Sequence, residues 1–279
     1  MLLEYHGLGL LDLRGGRRER ELEEQLVRLE SWEPIQYVLG SVEWCGMKIG
    51  VEPGVLIPRP ETEEMVQMLG SRVGKRGTTT RILDLCTGSG CIALAMKQKF
   101  PEAYVEGWDI SDKALSIAKK NAETLNLDVE FRKVDVLQFK GSSRGHEALN
   151  VLLLATKRGL SLQRSFLQGE FKGFSLIISN PPYVCQEEKK EMDRNVLEHE
   201  PHEALFVPND DPLVFYRAIA QIGEMLLDEN GVLMCETNRR FGKEVADLLK
   251  EKKYRNIKLT KDLFGNDRFV EAMAAKSHN

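Results

Sequence analysis

From Arg81 onward, short apolar runs alternate with stretches of helical period, and that alternation leaves few folds open. Ile82–Leu85, Tyr104–Trp108, Val129–Arg132, Phe174–Ser179 and Val232–Glu236 read as strands. Helices are expected between them through Ala93–Met96, over Ser111–Leu125 and Asp211–Leu227, and then over Lys243–Lys250. Two strands follow, near Ile257–Leu259 and Arg268–Ala272. Strands alternating with helices specify an α/β fold with a parallel, doubly wound sheet. In such a sheet ligands bind beyond the carboxyl ends of the strands. Asp84–Gly90, Asp109, Asp135 and Asn180 all fall at those ends.

Ahead of this pattern the chain is organised differently. Residues 19–31 are charged, with Leu22, Leu26 and Leu29 at helical spacing. Pro34–Gly40 and the alternating residues up to Val51 read as a short hairpin turning near Gly46. Pro53-Gly54, Pro58 and Pro60 break regular structure and mark a linker over residues 52–60, with helix from Glu61 to Leu69. The expected division is a small N-terminal docking segment with its linker, residues 1–60, and a larger domain, residues 61–279, interrupted by an insertion at about 141–173.

An apolar content of 42% over 279 residues is enough for a substantial core. The net charge of −4 argues against nucleic acid as a direct partner, because such affinity comes largely from neutralising phosphates. Arg14, Arg17, Arg18 and Arg20 are interleaved with Glu19, Glu21, Glu23 and Glu24 and read as a solvated helix face. Cys45, Cys86, Cys91, Cys185 and Cys235 form no C-x-x-C pair, so neither a zinc site nor a disulfide framework is expected. Met1–His6 lacks the pattern of a signal peptide, and no apolar run approaches the about 20 residues that span a bilayer. A cytoplasmic monomer with no membrane contact is expected.

Asp84-Leu85-Cys86-Thr87-Gly88-Ser89-Gly90 lies where a strand turns into a helix. Glycine there permits a tight turn and lets a ligand approach the main chain. Asp109, 21 residues after Gly88, can accept hydrogen bonds from both ribose hydroxyls of an adenosine. Gly88-x-Gly90-x-x-Ala93 also fits the dinucleotide fingerprint, so this loop alone leaves nicotinamide dinucleotide and S-adenosylmethionine both open. Asp135 reads either as an acceptor for an adenine amino group or as a turn aspartate.

Asn180-Pro181-Pro182-Tyr183 decides between the cofactors. Two prolines after a buried strand remove two N–H donors and hold the chain stiff. The Asn180 side-chain oxygen and the Pro181 carbonyl can then each accept one hydrogen of a substrate –NH₂, while Tyr183 offers an aromatic face to a planar group. An amide nitrogen is a poor nucleophile, and fixed acceptors direct its lone pair towards an electrophilic methyl. Such a loop serves methyl transfer from S-adenosylmethionine and has no use in hydride transfer.

Together these residues resemble the HemK-like family of protein glutamine methyltransferases, which modify the Gly-Gly-Gln motif of class I peptide-chain release factors. The resemblance runs from Pro34 to Ala272 and is most specific in Pro34-Ile35-Gln36-Tyr37-Val38-Leu39-Gly40 and Val55–Glu63. Glu200-Pro201, Ala204-Leu205 and Gly265-Asn266-Asp267-Arg268 are also similar to the family. It implies a seven-stranded, Rossmann-like class I methyltransferase sheet behind a small N-terminal helical and hairpin domain. It also implies that Cys86, Thr87, Gly88, Ser89, Gly90, Asp109, Asp135, Val136 and Asn180 line the cofactor. Asn180, Pro181, Pro182 and Tyr183 would hold the glutamine amide, with a release factor as protein substrate.

The chain departs from the family pattern at three places. Cys86 stands where many members have glycine, the part before Pro34 is short, and residues 141–173 are long. That long stretch carries Val151–Leu154, Lys157, Arg158 and Arg164 and reads as a surface insertion. His199 and His202 read as loop-stabilising, Arg59 as half of an ion pair, and Glu236 as equally suited to the core or the cleft. Two other functions suit parts of the pattern. The same loop fits the exocyclic amine of a flipped adenine in DNA or RNA, and an inactive cofactor-binding subunit needs only the glycine-rich half.

Overall fold

Ile82, Leu83 and Leu85 are each 0% exposed, and such burial of consecutive residues requires a strand covered on both faces. The structure, a computed structural model, describes residues 17–69, 80–139 and 173–274. Of the 141–173 insertion it describes only Gly173, so Val151–Leu154, Lys157, Arg158 and Arg164 lie outside the described residues, as do Met1–His6 and Arg14.

In chain order the elements are α1 (Arg17–Glu30), α2 (Ile35–Leu39), β1 (Ser41–Trp44), β2 (Met47–Gly50) and α3 (Pro60–Met68). The alternating part follows with β3 (Arg81–Leu85), α4 (Cys91–Lys99), β4 (Tyr104–Asp109), α5 (Asp112–Leu125), β5 (Glu130–Lys133) and β6 (Phe174–Ser179). After β6 come the short β7 (Val184–Cys185), α6 (Arg194–His199) and the short β8 (Phe206–Val207). The chain then forms α7 (Val214–Leu226), β9 (Leu227–Glu236), α8 (Gly242–Glu251), β10 (Arg255–Lys261) and β11 (Asp267–Met273).

Seven strands form one sheet in the order β10-β11-β9-β6-β3-β4-β5. β11 pairs antiparallel with both its neighbours, and the remaining pairings are parallel. From β3 the chain moves outward to β4 and β5, then returns to place β6 on the other side of β3. The crevice between the ends of β3 and β6 is thus the topological switch point. The mixed seven-stranded sheet agrees with the fold implied by the sequence.

Each face of the sheet carries its own core. Ile82, Leu176 and Ile178 join residues of α3, α4, α5 and the hairpin on one face. Leu83, Leu85, Trp108 and Ile177 pack with Tyr216, Ile219, Ile222 and Val245 of α7 and α8 on the other. The strand expected from Val232 begins at Leu227, so Asn230-Gly231 lies inside β9. A register shift between Phe174 and Leu176 absorbs these residues, as a bulge does.

Pro34–Gly40 was expected to run into the hairpin. It instead makes the single turn of α2, closed by Gly40 at φ 73°. The hairpin is confined to β1 and β2, whose two-residue turn places Cys45 at φ 49° and Gly46 at φ 69°. The turn brings Trp44 and Met47, both buried, into one pair.

Side chains from this region tie down the linker. The Tyr37 hydroxyl donates to the Val55 carbonyl, and Trp44 Nε1 donates to the Arg59 carbonyl at 3.0 Å. Asn121 of α5 accepts from Gly50 N at 2.9 Å and donates to Gly50 O at 3.0 Å and to Ser89 O at 2.9 Å. One amide thereby joins the hairpin to the glycine-rich loop.

Candidate active site

The turn after β3 is tight enough to need positive φ at three residues: Cys86 at 61°, Gly88 at 55° and Gly90 at 82°. A Cβ on Gly90 would stand 3.0 Å from Ala118 Cβ and 3.1 Å from Phe131 Cζ, so the turn sits directly on α5 and β5. Asp84, fully buried, organises the loop from beneath by accepting from the Thr87 hydroxyl and from Ala93 N at 3.1 Å. Burial pushes the Asp84 carboxyl up to about 7 against those hydrogen bonds. Burial likewise drives the Cys86 thiol well above its ordinary value, so it is protonated at neutral pH.

Asp109 ends β4 and accepts from Gly88 N and Ser111 N, both at 2.9 Å. Burial raises its carboxyl, and these N–H groups oppose the rise. The Asp135 Oδ1 atom accepts from Leu137 N at 2.9 Å, which makes it a turn aspartate, yet Asp135 also lines the cleft. The two roles read from the sequence are compatible in one side chain.

Cys86, Gly88, Asp109, Asp135, Val136, Asn180 and Pro182 converge on one cleft of about 940 Å³, its open mouth included. Trp108, Ile110 and Leu137 make its walls largely apolar. Thr87, Ser89 and Gly90 do not line it: Thr87 and Ser89 are buried beneath the turn, and Gly90 packs on α5. Gly54, Val55 and Leu56 roof the cleft from one side and Pro201, Glu203 and Ala204 from the other. Between these two loops Arg59 Nη2 meets Glu200 Oε1 at 2.7 Å, while Ile57 N donates to Glu200 Oε2 at 3.1 Å. Arg59 is the ion-pair residue expected, and its place is the roof.

Asn180 stands at the tip of β6, beside Glu236 at the tip of β9, because Ser179 pairs with Cys235. Asn180 Nδ2 donates to Thr62 Oγ1 at 2.9 Å, and the Thr62 hydroxyl donates to Glu236 Oε2 at 2.7 Å. Glu236 Oε1 accepts from the Tyr183 hydroxyl at 2.8 Å. Asn180 Oδ1 accepts none of the bonds among the described residues. Burial raises the Glu236 carboxyl, opposed chiefly by Thr62 and Tyr183. Burial and the neighbouring Glu236 charge raise the Tyr183 phenol well above its ordinary value.

Tyr183 is therefore fixed at both ends, since its carbonyl also accepts from Asn238 Nδ2 at 3.1 Å. Pro181 is buried and Tyr183 half-buried, and neither borders the cleft that Asn180 and Pro182 share with the glycine-rich loop. His199 and His202 contact the carbonyls of Ser31 and Leu197 at 3.0 and 2.8 Å, in keeping with loop stabilisation.

Sequence reasoning missed Thr62 entirely and left Glu236 open. One signal was present: a carboxylate ending the strand next to the Asn180 strand has no apolar partner to justify its burial there. Thr62 gave no such signal, because its partners lie 118 and 174 residues away.

The family model described as methyltransferase small domain matches residues 59–146, and that of Eco57I restriction-modification methylase matches residues 103–264. Among solved structures, a methyltransferase from Pyrococcus furiosus is 15% identical with a TM-score of 0.53, over 91% of this chain and 99% of that one. The hMettl16 catalytic domain in complex with the MAT2A 3'UTR hairpin 6 is 14% identical with a TM-score of 0.54, over 84% and 77%. These likenesses establish the class I methyltransferase fold alone.

Sequence relatives are nearer. The release factor glutamine methyltransferase of Flavobacterium psychrophilum is 40% identical over 88% of this chain and 77% of its own length. That of Streptococcus pneumoniae is 34% identical over 87% and 76%. With the enzyme of Bacteroides thetaiotaomicron the identity is 41%, over 95% of this chain and 87% of the relative. At that identity and coverage, this chain belongs to the release factor glutamine methyltransferase family.

Proposed function

We propose that this chain transfers a methyl group from S-adenosylmethionine to the side-chain amide nitrogen of the glutamine in the Gly-Gly-Gln motif of a class I peptide-chain release factor. One observation carries this reading: the acceptor loop at Asn180 and the nucleoside-type cradle at Gly88, Asp109 and Asp135 open onto the same cleft. The names of the relatives support the substrate.

The residues present fit the cofactor. Asp109 has two carboxylate oxygens at the strand tip for ribose hydroxyls, Asp135 and Val136 border the apolar walls where a base would lie, and the turn at Gly88 carries no side chain. When bound, S-adenosylmethionine supplies a methyl group made electrophilic by its sulfonium. Asn180, which borders the cleft, would accept one amide hydrogen at Oδ1, and the main chain of the Pro181-Pro182 step beside it would offer the second acceptor, so that the nitrogen lone pair is aimed at the methyl donor. With the methyl donor in place, these contacts would hold the nitrogen in line for transfer, and the amide proton would leave to solvent afterwards. The chain's contribution is positioning, and Leu56 and Pro201 help exclude water from above. Residues 1–60 serve docking of the protein substrate.

The match to the restriction-modification methylase model keeps an adenine amine on DNA as the second reading. Labelled S-adenosylmethionine offered with purified release factor, DNA and RNA separates the two. Label on the release factor, lost with Asn180→Ala, is the expected result. Label on nucleic acid alone would overturn the proposal, and cofactor binding with no label anywhere would point to an inactive subunit.

A further inference from the structure

A primary amide presents an oxygen and an –NH₂ group of nearly the same size, so shape cannot tell a site which of them faces the methyl donor. Only the pattern of donors and acceptors can. The oxygen is also the more electron-rich end, because the nitrogen lone pair is delocalised into the carbonyl. An enzyme that methylates nitrogen must therefore be built so that its contacts at the –NH₂ end are acceptors only.

Asn180 does not meet that requirement unaided, since its own side chain is an amide. In one orientation it offers Oδ1 to the cleft and in the other Nδ2. The second orientation would meet the substrate –NH₂ donor to donor, or would bind the substrate oxygen and turn the wrong atom to the methyl. Something must hold the orientation.

We infer that Glu236, acting through Thr62, is the positioning residue that locks the Asn180 amide with its oxygen towards the substrate. This inference rests on the amide-methylation reading. With Thr62 and Tyr183 each donating a hydroxyl hydrogen to it, the Glu236 carboxyl accepts at both of its oxygens. Glu236 Oε2 takes the single hydroxyl hydrogen of Thr62 at 2.7 Å, so Thr62 Oγ1 has only lone pairs left and must accept. Asn180 is the group facing it at 2.9 Å and can satisfy it only with Nδ2.

Tyr183 completes the arrangement by donating to Glu236 Oε1 at 2.8 Å. Both carboxylate oxygens are thereby engaged by hydroxyls, and Glu236 cannot turn to accept from Asn180 directly. Thr62 and Glu236 are 2% and 1% exposed, so water does not compete for these bonds. Neither residue borders the cleft. The same acceptor-only face would repel a glutamate carboxylate, which helps the site choose glutamine.

The test uses the full chain with release factor, and reads kcat, KM, cofactor affinity and the side-chain amide of Asn180 by NMR. Thr62→Val removes the hydroxyl at constant shape, and Glu236→Gln supplies a donor where only acceptors stood. Each should lower kcat by about 10- to 100-fold while the dissociation constant of S-adenosylmethionine changes less than about 3-fold. Thr62→Ser restores the hydroxyl and should keep kcat within about 3-fold of wild type.

The Asn180 –NH₂ protons should exchange slowly with solvent in the wild type and in Thr62→Ser, and fast in Thr62→Val. Wild-type kcat in Thr62→Val, or slow Asn180 exchange in that variant, would overturn the inference. So would a low kcat in Thr62→Ser with wild-type folding. A wild-type chain that labels no release factor sinks the function proposed above but leaves the exchange measurement to decide the lock.

Discussion

Arg59→Ala should loosen the roof of the cleft, and the structure sets the scale. The Glu200 side chain is 1% exposed and the Arg59 side chain 30%, at 2.7 Å. Without the guanidinium, Glu200 keeps only the Ile57 N–H at 3.1 Å among the described bonds. Losing a charge-assisted hydrogen bond costs about 1.5–3 kcal/mol, and stranding a fully buried carboxylate about 3–5 kcal/mol. Arg59 is partly exposed, so water reaches the vacated side and the lower range applies, about 2 kcal/mol. If all of it falls on the closed roof, the dissociation constant of S-adenosylmethionine rises by at most about 30-fold.

Calorimetric titration with the cofactor and denaturant unfolding, run on Arg59→Ala, Glu200→Gln and the double variant, measure both consequences. A coupling above about 1 kcal/mol between the two sites is expected. Cofactor affinity and unfolding free energy both at wild-type values in Arg59→Ala would refute the assignment of this pair to the roof.

Three further outcomes follow from the site. Cys86 holds φ 61°, a conformation that costs a residue with a Cβ about 1 kcal/mol or more. Cys86→Gly should therefore raise the unfolding free energy by about 1 kcal/mol, read by denaturant titration. The Asp84 carboxyl is pushed up to about 7, while an unfolded chain ionises it near its ordinary value. Between those values the folded form holds the extra proton, so the stability it contributes is full in acid, falls as pH rises and levels off above about 7. Relative to Asp84→Asn, the wild type should lose about 2 kcal/mol between pH 5 and pH 7, measured by unfolding at each pH. A Cβ on Gly107 would stand 2.7 Å from Phe131 Cδ1 and 2.8 Å from Thr87 Oγ1. Gly107→Ala should cost about 1–3 kcal/mol of stability, and weaker cofactor binding should accompany it because Thr87 props the turn.

The fold was legible because its determinants are local. The strand runs and the helical periods between them are written in consecutive residues, and strands that alternate with helices have few ways to close. Glycine-rich turn, Asp109 and Asn180 were legible for the same reason, since each marks a strand end. What escaped was the boundary of α2, where a seven-residue stretch with proline at one end and glycine at the other closes a single helical turn. The bulge that takes Asn230-Gly231 into β9 escaped as well, because register belongs to a pair of strands. Thr62 escaped most completely. A buried threonine on a helix is ordinary in sequence, and its meaning comes from Asn180 and Glu236, which only the folded sheet brings to it. The preference for glycine at position 86 that the family resemblance implies has a physical reason in the backbone, the positive φ of that residue.

The hydrogen-bonded run from Asn180 through Thr62 to Glu236 also sets an order of events during synthesis. Translation delivers the glycine-rich loop, Asp109 and finally Asn180 while β9 is still unmade. Domains fold as units as the chain is extended, and until residue 236 is available the Thr62 hydroxyl has no carboxylate to commit its hydrogen to. Before that point the Asn180 amide has no committed acceptor at Thr62 to face. On the proposed lock, the Asn180 amide is held only once β9 takes its place between β6 and β11. An enzyme whose family acts on the machinery that ends translation would thus complete its own site late in being translated.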